Sequence, residues 1–184
     1  MQRIKKITIA AAQGKAKELL EGTKKAMGAE LNIFTAFANA PAAFEGYLGL
    51  MTALGNGSLD RKLREQLALV TAGYNGCNYC ASAHTYLGEK AGVSKEEMAA
   101  NLSGHSSDKK TQAALSFATK LIDRRGRVSE TDLADVRSAG FSDEEIVEIL
   151  AHVAMNTFTN YFNEAFKVEV DFPVVNTSAT CKAA

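Results

Sequence analysis

Signals for α-helices follow one another along almost the whole chain. Apolar residues recur three and four positions apart, and the stretches that contain them end at glycines or begin at helix-capping residues. Residues 11–27, for example, place Ala16, Leu19 and Leu20 on one stripe, and Gly28 can end that helix. Only two of the 184 residues are proline, and 46% are apolar, which is enough for a core at this length. We therefore predict an all-α bundle.

The expected bundle is a single domain of about seven or eight helices. Strand-type alternation is weak, and its clearest instance, residues 167–172, has no evident partner. Ser94 with Glu97 has the spacing of a capping box, as does Ser142 with Glu145. We assign residues 1–173 to the domain and expect residues 174–184 to form a mobile tail. The helices whose bounds the pattern predicts cover about residues 11–27, 41–54, 61–74, 77–91, 108–125, 130–139 and 143–166, and residues 32–38 are expected to form a short helix or a turn.

Charge and apolar patterning exclude several classes of protein. Lys plus Arg number 21 and so do Asp plus Glu, and this zero net charge argues against binding to nucleic acid or to a membrane through a polybasic anchor. The apolar segment 7–12 is shorter than the core of a signal peptide, which needs about 7–15 residues. Three cysteines are an odd and sparse set, unlike a disulfide scaffold. We expect a cytoplasmic protein with neither nucleic acid nor membrane as a partner.

Two of the cysteines form a Cys-x-x-Cys pair that a histidine follows. On a helix, Cys77, Cys80 and His84 fall within an arc of roughly 60°. A free thiol has a pKa of about 8.5, and a neighbouring base raises its thiolate fraction. A thiolate can attack a peroxide oxygen, and a second thiol can resolve the sulfenic acid that results. Glu65 lies on the preceding predicted helix and could orient the histidine if the chain turns at Asn75-Gly76.

Simpler interpretations of these residues stay open. The two cysteines could be a buried pair of small apolar side chains. They could also bind zinc with His84, but this gives three ligands where a structural zinc site needs four, and Cys181 in the tail is the only other thiol. We expect no metal and no bound cofactor. His105 and His152 are predicted to be solvated and packed, respectively, without a catalytic role.

The spacing Glu65-x11-Cys77-x2-Cys80-x3-His84 resembles the signature of AhpD-like alkylhydroperoxidases, which belong to the carboxymuconolactone decarboxylase superfamily. The upstream segment 32–41 is similar to the peroxidase-related branch of that superfamily. This four-residue motif is far more specific than an isolated Cys-x-x-Cys pair.

The resemblance covers roughly residues 30–165 and implies an AhpD-like all-α fold. It also implies a homo-oligomer, commonly a trimer or hexamer, that reduces hydroperoxides through its thiols. Electrons would return from a dithiol partner of the lipoyl or thioredoxin type.

The roles of individual residues also come from this resemblance. The second cysteine of the family pattern usually attacks the peroxide, the first resolves, and the Glu and His form a proton relay. These positions correspond to Cys80, Cys77, Glu65 and His84 in this chain. Tyr79 is a departure, since some members carry a histidine between the two cysteines.

The order of attack depends on two opposing effects. A helix that begins near Cys77 stabilises a thiolate there by about 0.3–1 kcal/mol, whereas the i,i+4 contact with His84 favours Cys80. A direct base partner can move a cysteine pKa by several units, so we favour Cys80. Two alternatives to a peroxidase remain: a carboxymuconolactone decarboxylase-type enzyme, which does not depend on the cysteine pair, and a non-catalytic redox-sensing oligomer.

Overall fold

The computed structural model describes residues 2–177, in which the backbone forms nine α-helices and no strands. The all-α prediction is confirmed, and the count exceeds the expected seven or eight because the short segment that begins after Ser94 is a separate helix. In chain order the helices are α1 (Gly14–Met27), α2 (Asn32–Phe37), α3 (Pro41–Gly55), α4 (Arg61–Asn75), α5 (Asn78–Ala91), α6 (Lys95–Leu102), α7 (Lys109–Asp123), α8 (Glu130–Ser138) and α9 (Asp143–Phe166).

The two predicted capping boxes have different outcomes. At the start of α9, Ser142 accepts the backbone N–H of Glu145, and the Glu145 carboxylate accepts that of Ser142, so this box is confirmed. At the start of α6, Ser94 accepts the N–H of Glu97, but the Glu97 carboxylate does not return the bond. That carboxylate instead accepts bonds from the side chains of Gln66, Asn101, Ser106 and Ser107, and from the backbone N–H of Ser107. The Glu97 carboxylate lies within reach of several donors and bonds to them instead of to the backbone N–H of Ser94. These bonds connect α6 to α4 and to the loop that follows α6.

Helix α4 is the centre of the bundle and packs against α5, α6, α7 and α9. Its residues 66–73 are all buried, so it has no solvent face over two turns. Gly73 lies against α6 so closely that a Cβ there would be 1.9 Å from the carbonyl oxygen of Leu102. Only glycine permits this approach, which fixes how α6 lies on the central helix.

Two apolar clusters lie on either side of α4. One cluster joins α4 to α7, α8 and α9 around Leu115, Val136 and Ile149. The other contains both Cys77 and Cys80 together with phenylalanines of α2 and α3. The cysteine pair is therefore part of a packed core rather than of a surface loop.

The aromatic residues of α9 divide between core and surface. The Phe162 ring stacks on Phe37 with centroids 3.9 Å apart, and Phe166 packs edge-on against Phe162. Phe158 and Tyr161 are 43% and 63% exposed.

The segment after α9 runs across the first turns of α5. The Tyr79 hydroxyl donates to Asp171, and the backbone N–H of Val175 donates to Ser82. Residues 174–177, which we had assigned to the start of a tail, contact α5 in this way, and residues 178–184, with Cys181, lie outside the described residues. Within the described part of the chain, no helix is long and apolar enough to cross a lipid bilayer.

Candidate active site

The turn between α4 and α5 brings the motif residues together. Gly76 ends α4 in the left-handed conformation (φ 71°), which glycine adopts without strain. The backbone N–H of Cys77 then bonds to the carbonyl of Ala72, and α5 packs back along α4. Glu65 and His84, 19 positions apart in sequence, consequently meet across the two helices.

Glu65 and His84 form a partly buried acid–base pair. Nδ1 of His84 lies 2.7 Å from Oε2 of Glu65, and the two side chains are 24% and 15% exposed. Burial by itself lowers the pKa of His84, but the hydrogen bond to Glu65 and the charges of Glu65 and Cys80 outweigh burial and raise it. The imidazole therefore holds a proton more readily than a free histidine does.

Cys77 and Cys80 are a buried pair of free thiols at the start of α5. Their Sγ atoms lie 2.6 Å apart, with the Cys77 thiol as donor, and the residues are 0% and 3% exposed. Cys77 is also the N-cap of α5, because its Sγ accepts the backbone N–H of Cys80 at 3.2 Å.

The surroundings make Cys80 the more acidic of the two thiols. Burial, the largest influence, raises its pKa, but the hydrogen bond from Cys77 and the charge of His84 act in the opposite direction. Together with two asparagine amides, they lower the pKa of Cys80 to about 7. The pKa of Cys77 is raised, first because its proton is held by Cys80 and then by burial. Cys77 remains the less acidic thiol although it lies at the start of α5.

The two amides belong to Asn160 and Asn163 on α9, which are not among the site residues predicted from sequence. Asn163 Nδ2 donates to Cys80 Sγ at 3.3 Å. The amide of Asn160 also lowers the pKa of Cys80, although its Nδ2 makes no hydrogen bond of normal geometry. A signal was present: Asn156, Asn160 and Asn163 are spaced by four and three, which places three amides on one face of the helix.

Other residues that face the site show its extent. The pKa of Tyr47 is raised by burial and then by the charges of Cys80 and Glu65, so its phenol lies in the electric field of the site. His152 is buried, as expected, and burial with the charge of Arg64 lowers its pKa to about 4. Among the described residues, no three His, Cys, Asp or Glu side chains are arranged to hold a metal ion.

Comparisons with known proteins agree on the fold. A peroxidase-related protein from Ralstonia eutropha JMP134, described as an alkylhydroperoxidase AhpD core, is 22% identical with a TM-score of 0.84 over 92% of each chain. A peroxidase-related protein from Silicibacter sp. TM1040 is 21% identical with a TM-score of 0.80 over 91% of each chain. The debrominase Bmp8 is 20% identical, with a TM-score of 0.72 over 90% of this chain and 89% of its own.

The sequence comparisons give a match to one family model over part of the chain. No curated protein matches the chain at a significant level. Residues 38–123, which contain all four motif residues, match the model of the carboxymuconolactone decarboxylase family. The chain therefore has an AhpD-like fold over most of its length, and within that fold one segment is similar to the carboxymuconolactone decarboxylase family.

Proposed function

We propose that the protein is a thiol peroxidase that reduces hydroperoxides through Cys77 and Cys80. One observation carries this proposal. Cys77 and Cys80 form a buried, hydrogen-bonded dithiol, and the Glu65–His84 pair lies beside it. Such a site can hold a thiolate, move a proton and form a disulfide, which are the three operations that the reaction requires.

The first step consumes the peroxide. The Cys80 thiolate attacks the hydroxyl-bearing oxygen of the hydroperoxide, so an S–O bond forms while the O–O bond breaks. The sulfur loses two electrons, the alkoxide leaves, and the proton that His84 has taken from the thiol protonates it to the alcohol. Because Glu65 stabilises the protonated imidazole, His84 can hold this proton until the alkoxide forms.

The second step closes the disulfide. The Cys77 thiol attacks the sulfur of the Cys80 sulfenic acid, and water leaves with the Cys77 proton. The two sulfur atoms are already in contact, so the resolving step needs only local adjustment of the first turn of α5. A dithiol donor of the lipoyl or thioredoxin type then restores both thiols by disulfide exchange.

The proposal is tested by peroxide consumption with a dithiol donor. We expect one equivalent of tert-butyl hydroperoxide to remove two thiols from the wild-type protein. With excess dihydrolipoamide present, many equivalents of peroxide should disappear for each protein chain. Mass spectrometry should place the new disulfide between Cys77 and Cys80. Consumption of a single equivalent despite the reductant would indicate a redox sensor, and no thiol loss at all would rule out the dithiol mechanism.

A decarboxylase-type activity is the alternative that the match to the family model allows. A decarboxylation does not use a dithiol, whereas this site contains a buried cysteine whose pKa is lowered by hydrogen-bond donors. We therefore favour the peroxidase.

We also propose that the protein is a homo-oligomer, a trimer or hexamer, assembled through α9. One face of this helix leaves an apolar stripe in solvent, formed by Val147 (67% exposed), Leu150 (50%), Phe158 (43%) and Tyr161 (63%). Surface stripes of large apolar side chains mark interaction sites in folded proteins.

Light scattering after size exclusion should give a multiple of the 19.7 kDa chain mass. The double variant Val147→Asp, Tyr161→Glu should shift the mass towards the monomer, because it places two charges in the interface. Val174→Asp is a matched control, since Val174 is 64% exposed but lies outside the stripe. A monodisperse wild-type monomer would contradict the oligomer.

A further inference from the structure

Two buried asparagines on α9 lie beside Cys80, and each has one polar atom that makes no hydrogen bond of normal geometry. Asn160 and Asn163 are 0% and 2% exposed. Asn163 donates from Nδ2 to Cys80 Sγ, which leaves its Oδ1 buried without a donor. Asn160 accepts from Asn75 Nδ2 at 2.9 Å through its Oδ1, which leaves its Nδ2 buried near the Cys80 sulfur without a hydrogen bond of normal geometry.

These unpaired atoms are costly to the folded protein. A buried polar group without a hydrogen-bond partner has lost its bonds to water without replacement, and native structures contain few such groups. Asn156, one turn earlier on the same face, shows the usual solution, because its Nδ2 donates to the carbonyl of His152. Of the three asparagines on this face, the two at the thiol are the ones with buried unpaired atoms; elsewhere among the described residues, such atoms occur in Gln2, Thr85, Asn101 and His152.

The unpaired pair consists of one donor and one acceptor. A hydroperoxide group, O–O–H, carries one hydrogen-bond donor and two acceptor oxygens, so it can satisfy both. We propose that Asn160 and Asn163 bind the hydroperoxide group of the substrate at Cys80. This inference rests on the proposed function and deepens it by identifying the subsite that holds the reacting atoms.

Each amide has a distinct part in the first step. The Asn163 Oδ1 accepts the O–H of the oxygen that Cys80 attacks, while its Nδ2 continues to donate to the sulfur. The Asn160 Nδ2 donates to the other oxygen and stabilises the negative charge that develops there as the O–O bond breaks. The bond to Asn75 holds the Asn160 amide in the orientation that presents its N–H₂ group.

The subsite predicts a defect that is selective for peroxide. In Asn160→Leu, the rate of Cys80 with tert-butyl hydroperoxide should fall by about 100- to 1000-fold, since one donor to a developing charge is lost. The rate of Cys80 with iodoacetamide, which needs no such donor, should change by less than about threefold. Both rates are measured at about pH 9, where a thiol of pKa about 7 is ionised.

Matched variants separate binding from packing. Asn156→Leu changes the same residue type on the same helix face away from the thiol, and its ratio of the two rates should match the wild type. Asn160→Ser, a smaller change, gives the same test if Asn160→Leu does not fold. Equal losses in both rates would show a packing or electrostatic effect alone, and an unchanged ratio would show that Asn160 does not touch the peroxide; either overturns the subsite. A wild-type protein that reacts with iodoacetamide but not with peroxide would instead remove the proposed function itself.

Discussion

Replacing Cys80 with serine should reduce the rate of hydroperoxide consumption by at least about 1000-fold, as expected when a nucleophile is removed from a covalent mechanism. Cys80 is the thiol whose pKa is lowered to about 7, and it alone accepts hydrogen bonds from both Cys77 and Asn163. A serine hydroxyl at this place stays protonated near neutral pH and does not attack the O–O bond. The measurement is peroxide consumption in the presence of excess dihydrolipoamide.

In its first turnover, Cys77→Ser should behave differently from Cys80→Ser. Cys80 should still react with one equivalent of peroxide and then stop as a sulfenic acid, which a dimedone adduct detects by mass spectrometry. Cys181→Ser serves as the matched thiol control and should turn over at the wild-type rate. If Cys77→Ser blocks the first step while Cys80→Ser still forms a sulfenic acid, the roles of the two cysteines are reversed.

Loss of the Glu65–His84 pair should slow peroxide reduction by about 10²- to 10⁴-fold near neutral pH, the usual range for a proton-transfer group. His84→Ala removes the charge that lowers the pKa of Cys80, so that pKa should rise. Glu65→Gln removes the carboxylate that raises the pKa of His84, so less imidazolium remains near the thiol. Because thiolate forms above the pKa, both variants should lose more activity at about pH 7 than at about pH 9. The pH dependence of thiol alkylation measures the shift directly.

The double variant tests whether the pair acts as one unit. Glu65→Gln with His84→Ala should lose little more than the worse single variant, because the carboxylate acts through the imidazole. His105→Ala removes an exposed histidine from the loop after α6 and is the control. Losses that multiply would show that the two residues act independently, and an unshifted Cys80 pKa in the wild type would remove the relay altogether.

Local signals explain why most of the fold could be predicted from sequence. Gly76 caps the end of α4 and Ser142 caps the start of α9. Each cap bonds to residues within about one turn, so these helix ends follow from neighbouring residues. The start of α1 shows the limit of such signals. The helix begins at Gly14 rather than near residue 11, because residues 8–12 close a separate turn on the Thr8 carbonyl.

The parts that escaped prediction depend on contacts between distant segments. Asn163 is 83 positions from Cys80, and no local pattern states that α9 crosses the start of α5. The Glu97 carboxylate likewise fits a capping box in sequence, yet it bonds to Gln66, 31 positions away on α4. The site motif could be identified from the sequence because its four residues lie on or next to two consecutive helices that are joined by a short turn. These residues are Glu65, Cys77, Cys80 and His84.

The N-cap of α5 has a consequence for how the protein can be observed. Most caps are oxygen atoms of Ser, Thr, Asp or Asn, which no redox reaction alters, whereas this cap is the sulfur of Cys77. Once that sulfur is bonded to Cys80, it is a different acceptor for the Cys80 backbone N–H. Amide hydrogen exchange in the first turn of α5 should therefore change with oxidation, and a single backbone resonance in an NMR spectrum could report the redox state of the intact protein without any substrate or dye.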